Sequence, residues 1–298
     1  MLTLSRVKKI FWLLSSFAVL YGCDTYKQDS YVEQYVVETF LTANEPFSPI
    51  KLSVTVPFNE EYIFENVAVS DANVVVRLQA EDGSIESEIQ YVESENPGIY
   101  VAENPEETVL SGRRYHLEIT DLKQDNDRIT ATTFVPGAFE EVAINTDSLT
   151  YQGPVQYEVT FTQGFYPGRQ NVYVATSLAL EPENYDLTPF WAGQDPDDED
   201  EFLRVSSGLI NEGNYELNDD GTLTLKYPWI GIAFYGPNEL SIYAVDNNIF
   251  DYIRTVEIQT GGSTLSPGQI ENVIWNVEGG IGIFGSRFGI NRVVFIKE

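Results

Sequence analysis

The chain has 298 residues, of which 46 are acidic and 17 are lysine or arginine, so its formal net charge is −29. Hydrophobic residues make up 43% and aromatic residues 13%, which is enough for a buried core and too much for a disordered acidic tail. So acidic a surface repels phosphate backbones and argues against DNA or RNA as partners. The single cysteine and single histidine argue against Ser–His–Asp catalysis, Cys–His catalysis and histidine-rich zinc sites.

Residues 1–22 have the pattern of a bacterial signal peptide. Three basic residues precede an uncharged, mainly apolar run from Ile10 to Tyr21, which is shorter than the roughly 20 residues that cross a bilayer. The segment Leu20-Tyr21-Gly22-Cys23 resembles a lipobox, so we expect cleavage before Cys23 and lipidation of its thiol. The alternative is a plain signal peptide with an incidental cysteine. Residues 23–30 are then a polar, lipidated tether.

Residues 31–136 are predicted to form an immunoglobulin-like β-sandwich. Leu52, Val54 and Val56 alternate with polar residues up to Pro57, as in a strand with one buried face. The pair Asp82-Gly83 is typical of a hairpin turn. Short predicted strands separated by such turn residues continue along the segment, which has the size of one immunoglobulin-like domain.

The pair Pro136-Gly137 is the predicted domain boundary, and residues 137–298 are predicted to form a second, mainly β domain. Asn171–Leu180 and Asn291–Ile296 have the composition of strands. Near-helical spacing of apolar residues predicts one short helix from Asn248 to Gln259, with an asparagine at its start as the N-cap. The predicted fold class is therefore all-β, with a sandwich followed by a β-rich domain.

The segment Gly280-Ile281-Gly282-Ile283-Phe284-Gly285 matches the G-x-G-x-x-G pattern of dinucleotide-binding loops. That function requires a following helix and an acidic residue about 20 positions later. The chain instead ends thirteen residues after Gly285, in a segment with strand composition. We therefore interpret the glycines as a tight bend in which backbone packs closely against backbone.

Six of the seven residues from Asp195 to Glu201 are acidic. Their mutual repulsion leaves two interpretations, an extended solvated loop or a loop folded around a calcium ion. The calcium interpretation lacks the glycine that an EF-hand loop needs for its turn, and the chain shows no other sign of a cofactor. Its candidate ligands are Asp195, Asp197, Asp198 and Asp200.

Few other residues are candidates for catalysis or ligand binding. His116 falls on the polar side of an alternating strand and is predicted to be an exposed strand residue without a catalytic role. Trp191 stands in a loop rich in proline, glycine and aspartate, where an aromatic side chain often marks recognition, so it is the candidate ligand-binding residue. A glycosidase with paired carboxylates stays open, because acidic residues are too abundant to single out one pair.

Several segments together resemble a family of outer-membrane lipoproteins of Bacteroidota known as domain of unknown function 4249. The segments are Leu20–Cys23, Val36–Phe40, Ile50–Ser53, Val69–Val74, Pro97–Tyr100, Asn248–Tyr252 and Asn276–Gly285. The last of them, with the pattern Asn-Val-x-Gly-Gly-x-Gly-x-Phe-Gly, is the most specific. The resemblance implies an outer-membrane lipoprotein, often encoded beside TonB-dependent receptors, and it carries over no catalytic residues.

The favoured function is a non-enzymatic, lipid-anchored outer-membrane protein that is an accessory or ligand-binding partner of a TonB-dependent receptor. The first alternative is a surface adhesin or glycan-binding module that uses Trp191 and the acidic run. The second is a carboxylate-based hydrolase. Which face of the outer membrane carries the protein stays open at this stage, as do its solute and its oligomeric state.

Overall fold

The computed structural model describes residues 31–122, 128–194, 202–257 and 272–298. Strands dominate these ranges, as the alternating sequence patterns predict, so the all-β fold class is confirmed. In chain order the strands are β1 Tyr35–Thr42, β2 Ile50–Val54, β3 Asn73–Gln79, β4 Ile85–Glu93, β5 Ile99–Ala102, β6 Arg114–Thr120, β7 Ile129–Phe134, β8 Glu141–Ile144, β9 Ser148–Thr150, β10 Glu158–Phe161, β11 Val172–Ala179, β12 Arg204–Ser206, β13 Ile210–Asn211, β14 Leu223–Lys226, β15 Gly236–Val245, β16 Val277–Glu278 and β17 Ile281–Lys297.

Three α-helices occur in the described ranges: α1 Phe64–Val67, α2 Pro189–Ala192 and α3 Asn247–Glu257. Only α3 is longer than about one turn, and it confirms the helix predicted from residue 248 onward. The predicted asparagine cap is wrong, because the preceding residue Asp246 accepts the hydrogen bond from the amide of Ile249 at 2.8 Å. None of the described helices combines the length and the apolar composition needed to cross a bilayer.

The described strands form a large sheet and a small one. The large sheet has the order β12-β11-β15-β17-β1-β2-β5-β4-β3-β6-β7-β16, with β13 beside β11 and β9 beside β17, and the small sheet has the order β14-β10-β8. The turn at Gly279-Gly280 joins β16, at one end of this path, to β17 in its middle. The two end strands of the path from β17 to β16 therefore lie close together, so this part of the sheet folds over on itself, as in a sandwich.

The last strand, β17, contributes to two parts of the large sheet. Its first residues, Ile281 to Arg287, pair with β1 in parallel, and Arg287 to Ile296 pair with β15 in antiparallel. The predicted final strand, Asn291–Ile296, was therefore too short. Glycines and an arginine interrupt its apolar pattern, and the pairing with β1 lies far away in the sequence.

Strands from both sides of the predicted boundary at Pro136-Gly137 share this sheet. One hydrophobic core runs from Val37 on β1 to Ile296 on β17, and residues Gln34–Glu298 form a single unit by their contacts. The division into residues 31–136 and 137–298 stays a prediction about which parts fold independently. The shared strand β17 positions the candidate site.

Candidate functional site

A pocket of about 340 Å³ lies between helix α3 and the part of the large sheet formed by β11, β15 and β17. This volume falls in the range of pockets that bind small molecules, about 300–1,000 Å³. The polar and charged residues among its lining are Thr176, Ser206, Ser207 and Arg287. The rest of the wall is mainly apolar and consists of Phe40, Val174, Val245, Ile249, Ile253 and Tyr243, whose ring carries the one further hydroxyl.

The alternation of side chains along β11 and β15 determines which of their residues form the sheet side of the pocket wall. Val174 stands opposite Tyr243, and Thr176 stands opposite Ser241, in the register of β11 and β15. Side chains two residues apart on a strand point to the same face, so these four residues share the face that α3 partly covers. The strands thus supply an apolar floor with hydroxyl groups at one end.

Arg287 is the single charged residue among the described residues that line the pocket. Its guanidinium carbon lies 4.0 Å from the centroid of the Tyr243 ring, and its Nε atom donates a hydrogen bond of 3.0 Å to the hydroxyl of Thr42. No carboxylate of the described chain forms an ion pair with it, whereas Arg292 on the same strand pairs with Glu141 at 2.8 Å. The pocket therefore carries one positive charge that no described side chain neutralises.

Two buried hydroxyl groups on the pocket face lack partners. Thr176 is 4% exposed and Ser241 is 1% exposed, and neither hydroxyl has a hydrogen-bond partner in the part of the chain that the structure describes. By contrast, the hydroxyl of Ser207 accepts from the amide of Ala175 and donates to the carbonyl of Gly208. Buried polar groups are normally hydrogen-bonded, so these two hydroxyl groups are exceptions, and burial keeps their oxygen atoms out of contact with solvent.

Asp246 fixes the helix that closes the pocket. Its carboxylate accepts hydrogen bonds from the Ile249 amide at 2.8 Å and from the Thr133 hydroxyl at 2.5 Å, and its own amide donates to the carbonyl of Ser286 at 3.0 Å. Complete burial raises the pKa of Asp246 to about 7, against the opposing effect of these hydrogen bonds. The start of α3 is thereby tied to β7 and β17.

A second cavity of about 340 Å³ lies between α1 and strands β1 and β2. Lys51 stands opposite Glu38 in the β1–β2 register, and the hydroxyl groups of Ser53 and Tyr62 are hydrogen-bonded to each other at 3.0 Å. Charges of opposite sign lie side by side there, and these hydroxyl groups are already paired. The pocket at α3, whose arginine has no described counter-ion, is therefore the better candidate for a ligand site than this second cavity.

The model of the family described as "Domain of unknown function (DUF4249)" matches residues 24–287. The chain belongs to the DUF4249 family. No curated protein matches this DUF4249 chain.

Solved structures resemble the DUF4249 chain only weakly. Trypsin-activated α2-macroglobulin from Escherichia coli is 11% identical with a TM-score of 0.22, and the match covers 72% of this chain and 14% of that one. Salmonella α2-macroglobulin reacted with methylamine is 10% identical with a TM-score of 0.23, covering 89% and 15%. Three N-terminal domains of the outer capsid protein Hoc of bacteriophage RB49 are 8% identical with a TM-score of 0.21, covering 89% and 70%. The DUF4249 chain thus spans about a seventh of the macroglobulins it matches.

The predicted ligand-binding residue Trp191 lies on α2, apart from the lining of the pocket. Its ring is half-buried, with centroid distances of 4.6 Å to Phe202 and 5.3 Å to Phe190. Its indole N–H donates a hydrogen bond of 3.0 Å to the carbonyl of Ile230. These contacts hold Trp191 in a small aromatic cluster, and its role in binding a ligand stays a prediction.

Several predicted residues lie outside the described ranges, namely Cys23 and the calcium candidates Asp195, Asp197, Asp198 and Asp200. Among the residues that are described, no group of three or more histidine, cysteine or acidic side chains is placed to hold a metal ion. His116 is half-buried, which corrects the prediction of an exposed residue. Its Nδ1 lies 3.1 Å from the Thr132 hydroxyl, and burial lowers its pKa.

The glycine-rich segment confirms the predicted close packing of backbone against backbone. A Cβ atom at Gly282, where φ is +112°, would lie 2.0 Å from the carbonyl oxygen of Val37 on β1. The predicted bend is confined to Gly279 and Gly280, because β17 begins at Ile281 and runs through the remaining glycines. These glycines let two parallel strands approach, and no helix follows them.

Asn248 and Asn276, which belong to the segments that resemble the family, form hydrogen bonds with the same two carbonyl groups. The side-chain amides of both residues donate hydrogen bonds to the carbonyls of Thr132 and Phe284, at 2.9 to 3.2 Å. They link α3 and the segment before β16 to strands β7 and β17. The family signature is therefore structural here, and it holds the elements beside the pocket.

Sequence reasoning missed Arg287 and Thr176 as pocket residues. One signal was present, because Arg287 is a single basic residue inside an otherwise uncharged run from Gly279 to Ile290 in a very acidic chain. Its neighbours Val245 and Thr42 are distant in the sequence, and only strand pairing brings them alongside.

Proposed function

We propose that this DUF4249 protein is a lipid-anchored, non-enzymatic binding protein of the outer membrane that works with a TonB-dependent receptor. The observation that carries the binding role is the pocket at α3. Its described lining has hydroxyl groups and one guanidinium, but no carboxylate, imidazole or thiol that could serve as a general base or nucleophile. Such a lining favours recognition over reaction.

The anchoring part of the proposal rests on the sequence. The positively charged start, the short apolar run and the segment Leu20-Tyr21-Gly22-Cys23 have the order of a lipoprotein signal peptide. Stable membrane attachment through lipid needs more than one acyl chain, as a lipidated N-terminal cysteine provides. The receptor partnership rests on the family resemblance alone and needs its own test.

The test is to solubilise the full protein gently from outer membranes and identify what co-purifies with it at near-equal stoichiometry. We expect a β-barrel receptor in the complex. We also expect Cys23→Ser to move the protein out of the membrane fraction. Purification of the protein alone would contradict the receptor partnership, and unchanged membrane retention of Cys23→Ser would contradict the anchor.

The alternatives give different results in parallel assays. A glycan-binding module should bind defined glycans on an array and lose that binding in Trp191→Ala. A carboxylate-based hydrolase should turn over polysaccharide or ester substrates. Either result would replace the proposed non-enzymatic accessory role.

A further inference from the structure

We propose that the pocket at α3 binds a small amphiphilic monoanion, with a carboxylate at Arg287 and an apolar body between α3 and the sheet. This inference rests on the binding role proposed above and names the class of ligand. Three features of the pocket support it, namely its charge, the terminal nitrogens of Arg287 that donate to no described residue, and its mainly apolar wall.

The charge of the pocket selects an anion. The chain carries 46 acidic residues against 17 lysines and arginines, yet no described carboxylate pairs with the half-buried guanidinium of Arg287. A partly buried charge without a counter-ion is unfavourable, and an incoming anion relieves that cost. Since Arg287 is the single charged residue among the described lining residues, the pocket matches one negative charge and disfavours a multiply charged phosphate.

The hydrogen-bonding groups favour a carboxylate head group. The Nε atom of Arg287 is used by Thr42, but its two terminal nitrogens donate to none of the described residues. A guanidinium with free terminal nitrogens suits a planar carboxylate.

The remainder of the wall favours an apolar body. Val174 and Tyr243 from the sheet, with Ile249 and Ile253 from α3, leave few polar groups along the length of the pocket. A sugar would bury hydroxyl groups there without partners, at a cost for each one. An alkyl or aryl group would instead gain from its removal from water.

The experiment uses the mature chain with Cys23→Ser, so that no acyl chain of its own competes for the pocket. Octanoate, 1-octanol and octylammonium are titrated by isothermal calorimetry as eight-carbon probes with an anionic, a neutral and a cationic head group. We expect octanoate to bind about tenfold or more tightly than 1-octanol, because a charge-assisted hydrogen bond is lost in the alcohol. Octylammonium should bind more weakly than both, since Arg287 repels it.

Arg287→Gln should abolish the preference for octanoate over 1-octanol. Arg292→Gln is the matched control, because it makes the same change on the same strand at a residue that pairs with Glu141. Ser206→Trp is a second, independent variant, in which a large side chain at an exposed position of the pocket wall should weaken all three probes. It keeps the test valid if Arg287→Gln fails to fold.

Equal affinities for the three probes, or no binding of octanoate, would overturn the assignment of the pocket. So would an octanoate affinity that Ser206→Trp leaves unchanged. Failure of the receptor to co-purify is a separate result, which contradicts the partnership and leaves the pocket assignment standing. If the receptor co-purifies but octanoate does not bind, the partnership stands and the assignment of the pocket is contradicted.

Discussion

The hydroxyl of Thr133 donates a hydrogen bond of 2.5 Å to the carboxylate of Asp246, 113 positions later in the sequence. The same hydroxyl lies 2.6 Å from that of Ser286 on β17. All three residues are buried, so this cluster joins β7, the start of α3 and β17 inside the protein. Burial raises the pKa of Asp246 to about 7, because a carboxylate is less stable away from water than a carboxylic acid.

Asp246→Asn should alter how stability depends on pH. Because the folded pKa of Asp246 lies above the value of an unfolded chain, its contribution is fully present below about pH 4 and is lost as the pH rises through about 7. Asparagine stays neutral and can still cap α3. We therefore expect the stability of Asp246→Asn relative to wild type to increase between about pH 5 and about pH 8, measured by urea unfolding.

Asp246→Ala separates the charge from the hydrogen bonds. It removes the cap of α3 and the partner of Thr133, so it should destabilise the protein at both pH values, by about 1 kcal/mol or more. A variant Asp246→Asn that loses more stability at the higher pH than at the lower one would contradict the buried, readily protonated carboxylate.

Gly282→Ala should destabilise the protein severely. The new Cβ atom would lie 2.0 Å from the carbonyl oxygen of Val37, so β1 and β17 would have to separate. We expect a loss of about 3 kcal/mol or more in the free energy of unfolding. Gly83→Ala is the control, because Gly83 has a positive φ of +83° but a Cβ atom added there would meet no other atom within 4 Å. Its loss in the free energy of unfolding should stay at about 1 kcal/mol, and equal losses in the two variants would contradict the steric argument.

Trp191→Ala should lower stability through lost packing. The substitution removes the hydrogen bond to the Ile230 carbonyl and the contact with Phe202, for an expected loss of about 2 kcal/mol. Trp275→Ala is the matched control, since the side chain of Trp275 is 44% exposed. Thermal unfolding of both variants tests this, and an unchanged melting temperature for Trp191→Ala would show that the cluster is not stabilising.

Calcium should leave the melting temperature unchanged if the acidic run Asp195–Glu201 is a solvated loop. A ligand that binds the folded state alone raises the melting temperature, by an amount that grows with the logarithm of its concentration above the dissociation constant. The measurement compares millimolar calcium with a chelator at constant ionic strength. A higher melting temperature in the presence of calcium, lost when Asp197 and Asp198 are changed to asparagine, would establish the bound-ion interpretation instead.

The sequence by itself determined the class of fold and the position of the main helix. Alternation such as Leu52, Val54 and Val56 and the spacing of apolar residues after Asn248 reflect local geometry, which each segment carries within itself. The glycines near the end also revealed close backbone packing, because only glycine permits it. Composition alone argued against most catalytic and metal chemistry.

Only the tertiary structure decided where the pocket lies and what it contains. Arg287 lies beside Thr42 on β1 and Val245 on β15, and this pairing depends on contacts across almost the whole chain. The capping role of Asp246 and its raised pKa depend on burial beneath Thr133, which no local pattern reports. Trp191 stood out in the sequence as a recognition residue, yet its neighbours Phe202 and Ile230 hold it in an aromatic cluster. Local patterns encode the strands, whereas the site arises from the pairing of strands that are distant in sequence.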